Sequence, residues 1–426
     1  MFNNFLLWRA SNENNFVLLS NYLLIIYAFF LPISDTATRA IFTVILILFI
    51  FSGDIKKKLL FALKDKVVQA FILFFLMHIV WIIGSENLHE AIFKVKSYRY
   101  ILYIIIYIAL IQKDFIYKIL TGFIFGILFS EMVSYFMLFD IHFDFITYTG
   151  TGINVPFMNS YTQYAEMLSI SMGILLYGII YKQQNIYYKA LSTLFFISAS
   201  ANIFIIQSKL GYGLYTISIL TVTFMILIKY KKYIMIPIAI FLIFGGYFTA
   251  YNLSSVFKNR VDGFFNQTEM AVESRNYHTS TGIRIGYYNY AIDFFKENFL
   301  FGVGTSDHSV EFLNFIEEHE ENKQNIIALR KGLSAGGFSN FDSELLDISV
   351  QFGILGLIIL FNIFWQLYNY KVDDYYLKVI QVIFITILLT TSMASGLFMY
   401  SKIGKIFTLL SALTLKLYYE KKDPIL

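Results

Sequence analysis

Tyr233-Ile-Met-Ile-Pro-Ile-Ala-Ile-Phe-Leu-Ile-Phe-Gly-Gly-Tyr-Phe-Thr-Ala250 runs from the first numbered residue to the last without a charge, directly after Lys229, Lys231 and Lys232. A helix needs a run of this length to cross a hydrocarbon core about 30 Å thick. Similar runs lie near 16–34, 38–53, 67–84, 99–112, 118–139, 165–181, 190–206, 212–228, 344–368, 379–396 and 403–419. With 233–250 this makes roughly twelve expected spans. The runs are continuous rather than alternating, which points to helices rather than to a membrane barrel. Charged residues are only 15% of the 426, and hydrophobic ones 57%. A soluble chain would carry about a quarter of its residues charged, so the expected class is an all-α integral membrane protein.

Charge placement orients the spans. The loops at 54–66, 113–118, 182–189, 229–232 and 369–378 fall on one side, and most are Lys-rich. The positive-inside rule makes that side cytoplasmic, together with both termini. The 140–164 stretch, the turn at Lys209 and the long segment 251–341 then face outward. Three parts follow: spans one to nine in 1–250, an outward loop in 251–343, and spans ten to twelve in 344–426. The first run begins near Phe16 with no small-residue cleavage pattern after it, which suits a retained span. Cysteine is absent, so thiolate chemistry and disulfides are excluded. A net charge of +4 spread over membrane loops suggests no nucleic-acid partner.

Lys94, Lys96 and Arg99 break the charge rule by lying on the outward side near span four. They either snorkel at a helix end or hold an anionic ligand, with Lys96 and Arg99 the candidates to line it. His78 and Glu131 fall inside spans three and five, where ionisable groups are functional candidates. Glu131 is a possible partner of Lys209.

The segment from Tyr251 to Phe341 is too long to be a connector. Tyr287, Tyr290, Ala291, Phe294 and Phe295 recur at helical spacing, predicting an amphipathic helix that breaks between Asn298 and Gly304. A charged loop, Glu311 to Lys331, and a Ser334-Ala-Gly-Gly337 hinge lead to Ser339-Asn-Phe-Asp342-Ser343 and span ten. His308 and His319 are alternative bases or paired metal ligands. Their spacing supports no metal site, and no metal or cofactor is expected.

Arg284, the aromatic helix, Gly302-Val303-Gly304, then Asp342-Ser343, nine residues and Gly353-Ile-Leu-Gly356 form an ordered pattern. Ser208-Lys209-Leu210-Gly211 adds a polar turn between two spans. In this order the motifs resemble the O-antigen ligase/polymerase superfamily, most strongly over 200–360. Ligases have His where this chain has Asp342, and Arg where it has Lys209; the first departure favours a repeat-unit polymerase. The resemblance implies transfer of a glycan from undecaprenyl diphosphate to a sugar hydroxyl at the bacterial cytoplasmic membrane. Donor and acceptor would both be lipid-linked glycans, and a chain-length regulator is an implied partner.

That chemistry needs cations for a leaving diphosphate, and Arg binds such groups bidentately. Arg284 and Lys209 are the first choices, with Arg260 and Arg275 further out. It also needs a base at the acceptor hydroxyl, which the motif places at Asp342. Tyr287 and Ser343 are candidates to line the substrate. Asp342 as a helix cap, Arg284 as a solvated loop residue and Lys209 as an interface anchor remain open alternatives. Gly353 and Gly356 read as close-packing positions. A ligase acting on lipid A-core, or a flippase or exporter, are the competing functions. A transporter would show repeat symmetry between its halves, and none is evident.

Overall fold

A computed structural model of the chain describes residues 2–141, 143, 154–157, 159–181, 185–334 and 341–421. Residues 142, 144–153 and 158 of the 140–164 stretch, and Ala335 to Asn340 of the hinge and approach to span ten, lie outside the described residues.

The chain is an all-α integral membrane protein. Helices α1 (Phe2–Phe30) and α2 (Asp35–Phe51) form a hairpin, and α3 (Ile55–Leu63) turns off α2 at 115°. Next come α4 (Lys66–Val80), α5 (Leu88–Tyr98), a 3-10 turn at Arg99–Leu102, α6 (Tyr103–Leu110) and α7 (Ile116–Leu138). Four long helices follow: α8 (Tyr161–Tyr181), α9 (Ile186–Ile205), α10 (Lys209–Tyr230) and α11 (Met235–Leu253). A polar group then interrupts them: α12 (Ser255–Glu273), α13 (Ser280–Glu297), α14 (His308–His319) and α15 (Lys323–Ser334). The chain re-enters the bundle as α16 (Glu344–Tyr368), α17 (Tyr375–Ser392) and α18 (Ser401–Leu413).

By length and composition, seven helices among the described residues can cross a membrane, or eight if the bent α2–α3 pair counts as one. About twelve were expected. Run 16–34 is carried as far as Phe30 by the continuous α1, which is not among the seven, and the other runs outside that count lie in helices of 17 residues or fewer. Run 67–84 yields the 15-residue α4, run 99–112 the 8-residue α6 after a 3-10 turn, and run 403–419 the 13-residue α18. At 1.5 Å per residue these reach roughly 12 to 22 Å, short of the core. Among the seven, α8 is the most enclosed and packs against α9, α10 and α17. By contrast α11 is hardly covered and exposes Phe241, Phe244 and Phe248. Lipid is as apolar as those side chains, so the face is unremarkable there.

The polar helices α12 to α15 form a cap with its own core of Tyr277, Tyr287, Phe294, Phe312, Ile316 and Leu329. The predicted amphipathic helix is α13, which buries Tyr287, Ala291 and Phe294 along one stripe. The charged stretch 311–331 is not a loop: Phe312, Phe315 and Ile316 commit most of its first half to α14, and α15 follows.

The cap is seated on the bundle by backbone pairing at Gly353. This residue, at φ 62° and ψ −153°, interrupts α16. In an unbroken helix the Ile354 amide would donate to the Val350 carbonyl. Here Ile354 N donates to Phe299 O (2.8 Å), and Val350 O accepts from Val303 N (3.1 Å). Gln351 O accepts from Gly304 N at 2.9 Å. Gly302-Val-Gly304 is therefore the strip that docks into the break, and Gly302 and Gly304 both have positive φ. On the other flank, Thr305 N donates to Trp81 O (3.1 Å) and Ser85 Oγ to Asp307 Oδ1 (2.8 Å), tying the cap to the end of α4.

Candidate functional site

Ser208 caps α10 by accepting from Gly211 N at 3.0 Å, so Lys209 begins a helix rather than sitting in a free turn. A Cβ on Gly211 would stand 2.7 Å from that of Ala165, so glycine lets α10 approach α8 closely. Lys209 Nζ donates to Thr281 Oγ1 (2.7 Å) and Gln267 Oε1 (3.0 Å), linking α10 to α13 and α12. Arg260, on α12, donates to Gln207 Oε1. Both Arg260 and Arg284 are near enough to repel the Lys209 ammonium. Three cations thus converge where the cap meets the bundle.

Thr281, Arg284 and Tyr288 fall at i, i+3 and i+7, one stripe of α13. Thr281 meets Lys209, and Arg284 Nη2 reaches Asp342 Oδ2 at 3.1 Å. Tyr288 Oη lies 3.2 Å from Ser343 Oγ and donates to Met393 O. The Arg284–Asp342 pair is half-exposed, with side chains 31% and 52% accessible, so a substrate can reach it. Asp342 sits outside α16 at φ 51°. Ser343 caps that helix instead, accepting from Leu346 N at 3.3 Å.

The other candidates lie elsewhere. Tyr287 points away from the stripe into the cap core, where its hydroxyl donates to Leu329 O at 2.6 Å. Burial pushes its pKa up, with the charge of Asp342 adding to the effect. Arg275 lies by Tyr290 and Glu320 in the cap, not in the Lys209 cluster. Lys96 and Arg99 are exposed; Arg99 bonds the Lys96 carbonyl and Tyr100 Oη. Glu131 accepts from Ser198 Oγ rather than meeting Lys209, whose ammonium is turned up into the cap. His319 stacks on Phe315. His78 is enclosed, with Nδ1 2.9 Å from Phe74 O. Among the described residues no three His, Asp or Glu side chains are grouped to hold a metal ion.

Sequence reading singled out Lys94 and His308 but missed the buried carboxylates beneath Asp342 that they face. Asp347 faces Lys94 Nζ at 3.8 Å and His308 Nε2 at 3.5 Å, all almost wholly enclosed. Glu344 accepts from Tyr98 Oη (2.9 Å) and Leu397 N (2.8 Å). Together they lock the start of α16 to α5, α14 and the 393–400 segment. One signal was available: Glu344 and Asp347 are acidic residues at the very start of an apolar run.

A cavity of about 570 Å³ opens beside Lys209 and Arg260, walled by Tyr212, Tyr247, Phe257 and Phe264 from α10, α11 and α12. Aromatic walls with two cations at one edge suit an amphiphile whose head is anionic. Residues 161–361, which contain Lys209, Arg260, Arg284 and Asp342, match the protein-family model described as O-antigen ligase. No curated protein sequence matches the chain.

Proposed function

Taking the chain as a multi-pass bacterial membrane protein of the O-antigen ligase/polymerase superfamily, we propose that it polymerises lipid-diphosphate-linked oligosaccharide repeat units. The observation that carries this is the junction itself. A half-exposed Arg–carboxylate pair stands beside two further cations and an apolar, aromatic-walled groove. The polyprenyl tail lies in the groove and the diphosphate meets Lys209, Arg260 and Arg284. Lys-rich loops occupy the side opposite the cap, so the cap faces outward.

In the transfer, the acceptor hydroxyl oxygen attacks the anomeric carbon of the donor. The carbon–oxygen bond to the diphosphate breaks, and the leaving lipid diphosphate takes the electron pair. Preorganised cations stabilise the growing charge. The hydroxyl proton passes to the Asp342 carboxylate. An incoming diphosphate competes with Asp342 for Arg284, so donor binding frees the carboxylate for the acceptor.

The test is glycan laddering in a polymerase-deficient strain carrying wild type, Arg284→Ala or Asp342→Asn at matched membrane levels. Wild type restores the ladder and each variant lowers polymer formation about 10²- to 10³-fold. Full laddering by both variants would reject the site. The family's description favours one second reading, ligation of finished polymer to a lipid acceptor. Restoration of attachment alone, in a ligase-deficient strain, would replace polymerisation with it.

A further inference from the structure

A second group of cations lies on the cap side of the bundle, outside the family-matched stretch. Asp35, at the start of α2, accepts from Lys405 Nζ (2.5 Å) and Ser401 Oγ (2.8 Å) and pairs with Arg39. The Tyr100 ring has the Lys405 ammonium 4.7 Å from its centroid and the Arg99 guanidinium at 4.4 Å. Lys402 is 9% exposed and, among the described residues, bonds neutral oxygens, Asn159 Oδ1 at 2.6 Å and Phe157 O at 3.2 Å. Four cations thus gather around one carboxylate, a net charge of +3 by residue count.

Such a group is costly without an anion. Asp35 already serves two cations and the Ser401 hydroxyl, and Lys402 is nearly buried with no carboxylate in salt-bridge range among the described residues. A buried cation held by carbonyls alone recovers little of its lost hydration. Arg39 is 57% exposed and Arg99 is also open to solvent, so an anion can approach from outside.

The position ties this group to the candidate site. Glu344 bonds Tyr98, the residue before Arg99, and Leu397, a turn before α18. Asp342 lies two residues upstream of Glu344, and Tyr288 bonds Met393 at the other end of the same segment. The 393–400 segment therefore separates two cationic groups, with Asp342 near their boundary.

We propose that Arg39, Arg99, Lys402 and Lys405 form a second diphosphate site, which holds the lipid-linked acceptor while Lys209, Arg260 and Arg284 hold the donor. This rests on the polymerase reading for its assignment to the acceptor, but not for the existence of the anion site. Polymerisation joins glycans carried on two lipid diphosphates, one of which leaves while the other stays attached, and two like-charged heads require two separate cationic seats. One phosphate chemistry has two sources here, a polyprenyl diphosphate or an anionic phospholipid head.

Native mass spectrometry of the full chain released from nanodiscs, titrated with undecaprenyl diphosphate, tests the site. Wild type takes up two molecules. Arg284→Ala retains one, and so do Lys402→Gln and the surface double variant Arg39→Gln/Arg99→Gln, which leaves the buried Lys405–Asp35 bridge intact. In each, the affected site weakens roughly ten- to hundredfold, as expected for lost charge-assisted bonds. Phosphatidylglycerol in excess leaves the second molecule bound. Uptake of one molecule by wild type, two by both second-site variants, or displacement by phosphatidylglycerol would each overturn the proposal. In turnover assays the double variant raises KM for the acceptor and leaves that for the donor; equal rises in both would remove the acceptor assignment. Failure of wild type to restore laddering in the polymerase-deficient strain, with both molecules still taken up, would sink the polymerase reading alone.

Discussion

Arg284 and Asp342 come from a cap helix and from the residue before the cap of a bundle helix, and they meet at 3.1 Å only because Ser343 takes the capping role. Asp342 is thereby left outside the helix with its carboxylate half-exposed. Motif order singled both out as candidates, but not their partnership, since 58 residues separate them. The choice of tyrosine on α13 shows the limit of motif reading. One residue is a 100° turn of the helix, enough to move position 287 into the core and 288 onto the site. Tyr287→Phe removes the bond to the Leu329 carbonyl and should cost the cap about 0.5–1.5 kcal/mol, read as a lower melting temperature. Tyr288→Phe should keep that temperature and reduce polymer formation. The reverse pattern would show that the stripe has been misassigned.

At the scale of elements, the Gly353 break in α16 joins cap to bundle. Its φ and ψ lie in a region essentially reserved for glycine. A Cβ there would stand 2.6 Å from Phe299 O and Leu300 C. Gly353→Ala should therefore cost at least about 1–3 kcal/mol and loosen the cap, raising protease cleavage in 255–334 while the bundle stays folded. Cleavage unchanged from wild type would show that the docking strip does not hold the cap. The spacing of Gly302, Gly304, Gly353 and Gly356 was visible in the sequence, but not that the two motifs bond to one another.

The α14–α15 turn makes a further prediction. Burial raises the pKa of Glu320, but bonds from Tyr290 Oη, Asn322 N and Asn325 Nδ2, with the charge of Arg275, outweigh it and leave the pKa lowered. A carboxylate with a depressed folded pKa stabilises the cap above its unfolded value, and that contribution fades as pH falls through the folded one. Glu320→Gln should thus lower cap stability at neutral pH and reduce its loss on acidification. Parallel melting curves for variant and wild type from pH 7 to 3 would contradict this.

For the whole molecule, orientation rests on the side chosen by the Lys-rich loops, and the absence of cysteine makes it straightforward to measure. In intact cells a membrane-impermeant thiol reagent should label Glu269→Cys in the cap and not Lys231→Cys at the opposite end. Labelling of Lys231→Cys alone would invert the topology and remove the site from the outer face. The sequence by itself determined the membrane class, the helical fold, the amphipathic α13 and the ordered motifs, because hydrophobic period and motif spacing are local quantities. It gave no sign of where a run breaks, since an apolar run carries no mark of the 3-10 turn or early stop that shortens α6 and α18. Only the tertiary structure decided which charges meet. It brought Lys209 to Thr281, paired Arg284 with Asp342, buried Asp347 between Lys94 and His308, and gathered Arg39, Arg99, Lys402 and Lys405 around Asp35. Apart from the i,i+4 pair of Arg39 with Asp35, those contacts join residues tens to hundreds of positions apart, so they depend on helix packing and on backbone breaks that leave no periodic signal in the chain.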